Sequence, residues 1–148
     1  MPNVKLRRRP LALGFGLVAL AALAAVAAAA LTPITFASRE EIFEIPKGTW
    51  ARRMAGNPVE ILPSRVYLTL GIRDVLLLKN LDDVPQIFGP TLMMPGQSFS
   101  LPFEKASSYQ FACTAHASGQ MTVVVDQQPD TPWRRLVWRT RRIFRMVA

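Results

Sequence analysis

A chain of 148 residues has room for one domain with appendages and too little for two full cores. Half of its residues are hydrophobic and its formal net charge is +8, yet all ten acidic residues lie between positions 32 and 130, where they slightly outnumber the bases. The basic balance therefore belongs to the two tails, and no nucleic-acid partner is expected, since such a face needs bases and aromatics interleaved on a folded surface.

The first tail reads as a targeting element. A basic segment over 1–10, "VKLRRRP" at its heart, precedes the uncharged run "LALGFGLVALAALAAVAAAAL" at 11–31. As a helix rising about 1.5 Å per residue, that run is roughly 30 Å long and matches a hydrocarbon core. The arginines before it stay cytoplasmic, which exports the chain beyond residue 31. The run is either a retained single-pass anchor or a signal sequence, because the alanines at 27–30 offer small-residue cleavage sites and signal-peptide apolar regions are usually about 7–15 residues. In both cases the domain sits on the periplasmic or extracellular side of the cell membrane, after a linker at 32–39.

From 40 to 128 the texture is β. "EEIFEIP" alternates imperfectly before the turn "PKGT"; "RVYLTL" (65–70) alternates cleanly, and Gly71 turns the chain into "DVLLLKN" (74–80). "SFSLPF" (98–103), "SSYQFAC" (107–113) and "MTVVVD" (121–126) complete the set. Short strands with Pro and Gly punctuation predict an all-β, antiparallel sandwich.

The stretch "CTAHASGQM" (113–121) holds the only cysteine and the only histidine of the chain. An exported lone thiol cannot form an internal disulfide, so Cys113 is either a buried inert residue or a metal-held thiolate. Cys113, His116 and Met121 on one loop supply thiolate, imidazole and thioether, three of the four donors of a mononuclear copper electron-transfer site. A c-type haem would need a second cysteine, and zinc would want four Cys, His or carboxylate ligands.

The second tail, 129–148, opens on "PDTPW", with Thr131 as helix N-cap and Pro132 in the first helical position. Trp133, Leu136, Val137, Thr140, Ile143, Phe144 and Val147 fall on one side of that helix, and the six arginines with Trp138 on the other. Such a basic amphipathic helix can lie on anionic lipid, dock on a protein or on its own domain, or fray in solvent.

The exported part resembles the cupredoxins, particularly plastocyanin-like and related bacterial exported copper domains. The likeness is carried by "VEILPSRVYLTLGIRDVLLLKNLDDVPQ", "LMMPGQSFSLPF" and "SSYQFACTAHASGQMTVVV". It implies a Greek-key cupredoxin-like β-sandwich holding one copper ion, with Cys113, His116 and Met121 as thiolate, second imidazole and axial thioether. The first copper histidine of that family falls at Gln86. With one histidine in the chain, a His2Cys site cannot be built from this polypeptide alone, and Gln86 is either a weak fourth ligand or a neutral replacement. Met93 and Met94, in the same region, either add thioether donors or form apolar surface around the copper pole.

Two functions from different classes fit this sequence. One is a membrane-anchored copper protein serving electron transfer or copper handling at an integral membrane redox or photosynthetic complex. The other is a non-redox accessory subunit with a metal-free site, clamped to such a complex by its two tails. No nucleophile dyad or multi-copper ligand set marks an enzyme.

Overall fold

The computed structural model describes residues 10–57, 62–116 and 118–147. They belong to two compact units: residues 35–128, and a second unit made of the two ends, up to 34 and from 129 onward. The basic segment expected at 1–10 lies outside the described residues, Pro10 excepted.

Within 35–128 the described residues form eight strands and one short helix in the order β1 (Glu40–Ile45), α2 (Thr49–Met54), β2 (Arg65–Thr69), β3 (Val75–Asn80), β4 (Gln86–Phe88), β5 (Thr91–Met93), β6 (Ser98–Pro102), β7 (Ser108–Ala112) and β8 (Gln120–Asp126). One sheet has the order β1-β3-β6 and the other β2-β8-β7, with β4 and β5 forming a two-stranded ribbon. The six strands expected from alternation are all present. The sheets are not purely antiparallel as expected: β1 runs parallel to β3, and β2 parallel to β8. The chain leaves one sheet, contributes a strand to the other and returns, and such a crossover makes parallel neighbours. Hairpin-like antiparallel pairing survives in β3–β6 and β7–β8.

The period of two decides which side chains enter the core. Leu76, Leu78 and Asn80 of β3 face inward, as do Val66 and Leu68 of β2 and Met121, Val123 and Val125 of β8. Outward residues pair across strands: Glu44 lies opposite Lys79 in register, and their charged ends are 3.2 Å apart. Along the β6–β7 side an aromatic chain links the sheets. Phe88 packs on Phe111 with ring centroids 4.8 Å apart and on Phe99 at 6.1 Å, and Phe103 meets Tyr109 at 5.0 Å.

The all-β expectation holds for the strands but not for everything described, since the described residues also form three helices. α2 was not expected, and its cause is non-local. Its N-terminal N–H groups have no partner inside the helix, and Gly48, in the left-handed region at φ 75°, carries no side chain to cap them. The Asp82 carboxylate from the far side of β3 does so instead, accepting from Gly48 N at 2.8 Å and Trp50 N at 2.9 Å.

The second unit consists of α1 (Pro10–Leu31) and α3 (Pro132–Val147). Over 14–31, α1 has a mean hydropathy of 2.3, long and apolar enough to cross a membrane, as a signal sequence or a single anchor. α3 starts as the sequence predicts: Thr131 Oγ1 accepts the Arg134 N–H at 3.3 Å, and Arg135 N donates to the Thr131 carbonyl at 3.0 Å.

Asp82 is buried, and two more donors reach it, Asp83 N at 2.9 Å and Gln86 Nε2 at 3.1 Å. Burial pushes its carboxyl up, but the N–H groups of Trp50, Asp83 and Gly48 and the Gln86 amide overcome this and hold it below the usual carboxylate range. Oδ1 serves Gly48 and Asp83, and Oδ2 serves Trp50 and Gln86. Asp82→Asn therefore turns an amide N–H2 against one pair of donors and should cost about 2–3 kcal/mol in denaturant unfolding. Because the folded value is depressed, the stabilisation is complete above the unfolded value of about 3.9 and is lost as pH falls toward the folded one. Unfolding titrations from pH 7 to pH 3 should show a smaller acid-induced loss of stability in Asp82→Asn than in the unsubstituted chain.

Candidate metal centre

β7 delivers Cys113 to the end of its sheet, where the chain turns back into β8. The loop is closed at its base by Cys113 N donating to the Gly119 carbonyl at 2.8 Å. Inside it, His116 N donates to the Cys113 carbonyl at 3.2 Å and Gly119 N to the His116 carbonyl at 3.0 Å. Gly119 takes φ 74°, which a residue with a Cβ adopts only under strain, so glycine is required for the return into β8. Met121 then lies in register with Phe111. Of the three expected ligands, Cys113 and Met121 thus flank one short loop and His116 lies within it, and each is at most 2% exposed.

β4 lies alongside this loop. Phe88 bridges Cys113, Thr114 N donates to the Ile87 carbonyl at 3.0 Å, and Gly89 N donates to the Ala112 carbonyl at 2.8 Å. That pairing brings Gln86, the first residue of β4, to the same end of the fold, paired with Met93 of β5 and 1% exposed. Its amide is engaged on both sides. Oε1 accepts from Thr114 Oγ1 at 2.7 Å, and Nε2 donates to Asp82 at 3.1 Å. The Thr114 hydroxyl oxygen in turn accepts the Ile87 N–H at 2.8 Å. Gln86 is therefore a member of a buried polar chain running from Asp82 to the residue after Cys113.

His116 is oriented by its neighbours. Nδ1 lies 2.8 Å from Ser118 Oγ and accepts the Ser118 N–H at 3.2 Å. Its carbonyl accepts from the guanidinium of Arg53 on α2. The same cation stands near Cys113. Burial pushes the Cys113 thiol up, and the N–H groups of Ala115 and His116 and the Arg53 charge offset this only in part.

Of the two methionines expected on the surface, only Met94 is there. Met93 is 2% exposed and belongs to the core with Phe88, Cys113 and Met121. It faces inward because β5 pairs with β4 and places it opposite the buried Gln86. Leu81, Ile87, Leu92 and Met94 remain as an exposed apolar patch on this end.

Among the described residues no three His, Cys, Asp or Glu side chains gather to hold a metal ion. A metal bound here depends on the Met121 thioether or the Gln86 amide beside Cys113 and His116. Sequence reasoning did not single out Asp82, Thr114 or Arg53. The first two carried a signal, being polar residues flanking the Gln86 and Cys113 positions, whereas Arg53 carried none.

No protein-family model and no curated protein matches the chain. Solved structures do, at low identity. A purple cupredoxin from Nitrosopumilus maritimus is 20% identical, covering 57% of this chain and 98% of its own, with a TM-score of 0.44. Amicyanin from Paracoccus versutus is 19% identical over 66% of this chain and 88% of its own, at a TM-score of 0.42. A variant amicyanin in a copper(I) form is 17% identical over 62% and 86%, also at 0.42.

A buried thiol with a raised pKa should be inert in the native metal-free protein. An aromatic disulfide reagent such as Ellman's should leave Cys113 unmodified near pH 8 and titrate one thiol once guanidinium unfolds the chain. Fast reaction of the native protein at that pH would contradict the burial of the loop.

Proposed function

We propose that residues 35–128 form an exported, membrane-tethered cupredoxin-like domain that holds one copper ion through Cys113, His116 and Met121. It serves one-electron transfer or copper handling at an integral membrane redox or photosynthetic complex. The observation that carries this reading is the burial of all three donors on one short loop and its flanks, with His116 inside the turn and Cys113 and Met121 at its two sides. Thiolate, imidazole and thioether make a donor set suited to Cu(I), and the missing second imidazole weakens Cu(II) more. When bound, copper supplies a one-electron couple. The chain's own residues shape the site: the Gly119 carbonyl closes the loop at Cys113, Arg53 holds the His116 carbonyl, the Ser118 N–H occupies Nδ1 of the His116 ring so that a metal at that nitrogen would have to displace it, and Phe88 and Met93 keep the surroundings apolar. The patch of Leu81, Ile87, Leu92 and Met94 gives this end an apolar surface on which a partner can dock. Nothing in the donor set resembles hydrolytic or acid–base machinery, and the reading is of a carrier, not an enzyme.

A second reading has one observation of its own. The Gln86 amide is engaged on both sides, by Thr114 and Asp82, as in a site that has become a structural polar plug. The domain would then be a metal-free accessory subunit.

Anaerobic titration with Cu(I) separates the two. The copper reading predicts one tightly held equivalent, lost in Cys113→Ser. The oxidised wild type should lack the intense thiolate-to-copper visible absorption that arises from His2Cys ligation, and Gln86→His should create it. Failure of both wild type and Gln86→His to retain copper would leave the accessory-subunit reading, and strong colour in the wild type would overturn the ligand assignment.

A further inference from the structure

We propose that α3 is an interfacial helix that lies on an anionic lipid surface beside the outer end of α1. Trp133, Ile143 and Phe144 enter the acyl boundary, and its polar side meets lipid phosphates. The inference rests on reading α1 as a retained membrane span.

The last turn of an α-helix leaves carbonyls without helical partners. Two of these in α1, and the Thr32 carbonyl just beyond it, are met by arginines of α3. Arg135 Nη1 donates to the Leu31 carbonyl at 3.1 Å, Arg139 Nη2 to the Thr32 carbonyl at 3.0 Å, and Arg139 Nη1 to the Ala29 carbonyl. Cations at a helix C-terminus also complement its dipole. Residues 14–28 of α1 remain exposed, while Ala29 and Ala30 are half-buried. α3 thus meets α1 at its last turn and leaves its apolar length bare. If α1 crosses a bilayer, this places α3 at the membrane–water boundary.

The composition of α3 fits that place. Trp133, Ile143 and Phe144 are 72%, 62% and 73% exposed, an apolar side that would be costly in water. Residues 131–148 contain six arginines and no acid. Arg134 and Arg141 are exposed, and Arg142 lies over the Trp138 ring with its guanidinium carbon 5.3 Å from the centroid. A membrane surface supplies what such a helix lacks, an apolar boundary and a layer of negative charge, and aromatic residues concentrate at that depth.

The test uses the full chain reconstituted in phosphatidylcholine vesicles with and without a third of phosphatidylglycerol. Trp50→Phe with Trp138→Phe leaves Trp133 as the sole reporter while keeping a ring at each place. In the anionic vesicles Trp133 emission should shift to the blue and be quenched by lipids brominated near the headgroup. Arg134→Gln with Arg141→Gln should reduce that quenching, as should high salt. On the unsubstituted chain, trypsin cleavage at Arg141 should slow on anionic vesicles and not on neutral ones. If alkaline carbonate strips the protein from the vesicles, the anchor reading falls and this proposal with it. If the chain resists carbonate but Trp133 stays open to iodide, the anchor stands and the proposal is overturned. Shielding that is equal in neutral vesicles and grows with protein density would assign the apolar side to a second copy, and would also overturn it.

Discussion

The Asp82 carboxylate is the constraint on which the site end of the domain depends. It is a buried anion with no cation as its partner among the described residues, held by four donors from three parts of the chain: the start of α2, its own turn, and Gln86. Asn80 supports it from below, donating to the carbonyls of Val84 and Met93 and accepting the Asp82 N–H. A buried charge without full hydrogen bonding would be expensive, so this cluster permits few alternative arrangements. The geometry of α2, the turn after β3 and the start of β4 are thereby fixed together.

That constraint extends to the loop with Cys113. Through Gln86 it reaches Thr114, and through α2 it sets Arg53 beside the His116 carbonyl. Both ends of the candidate ligand set are therefore braced by one anion from outside the loop. An imidazole at position 86 would have to keep a donor toward Asp82 to leave this bracing intact. Glutamine offers a donor to Asp82 and an acceptor to Thr114 at once, which ties the turn after β3 to the loop after Cys113.

Much of the fold was legible in the sequence where a signal was local. Alternation in "RVYLTL", "DVLLLKN" and "MTVVVD" identified β2, β3 and β8 because one face of each strand is buried. Thr131 and Pro132 marked the start of α3 for the same reason, since capping is decided within one turn. β4 and β5, three residues each, are too short to show a period, and α2 depends on a cap from 32 to 34 residues away. Parallel pairing was hidden because it depends on which sheet the chain visits between two strands. In the candidate site, spacing and chemistry single out Cys113, His116 and Met121, and the structure buries all three around one loop. The engagement of Gln86 was not legible, because one of its partners is 28 residues distant. The arginines were read as one polar side, and only the folded chain shows two of them spent on the carbonyls of α1.

The central claim is that Cys113, His116 and Met121 hold copper while the Gln86 amide stays in its hydrogen bonds to Thr114 and Asp82. X-ray absorption at the copper edge of the Cu(I)-loaded full chain tests it most directly. The account predicts a low-coordinate Cu(I) with two sulfur scatterers and one imidazole nitrogen, unchanged in shape by Gln86→Ala and losing a sulfur in Met121→Leu. A first shell of nitrogen and oxygen alone, or two imidazoles from a pair of chains, would contradict it.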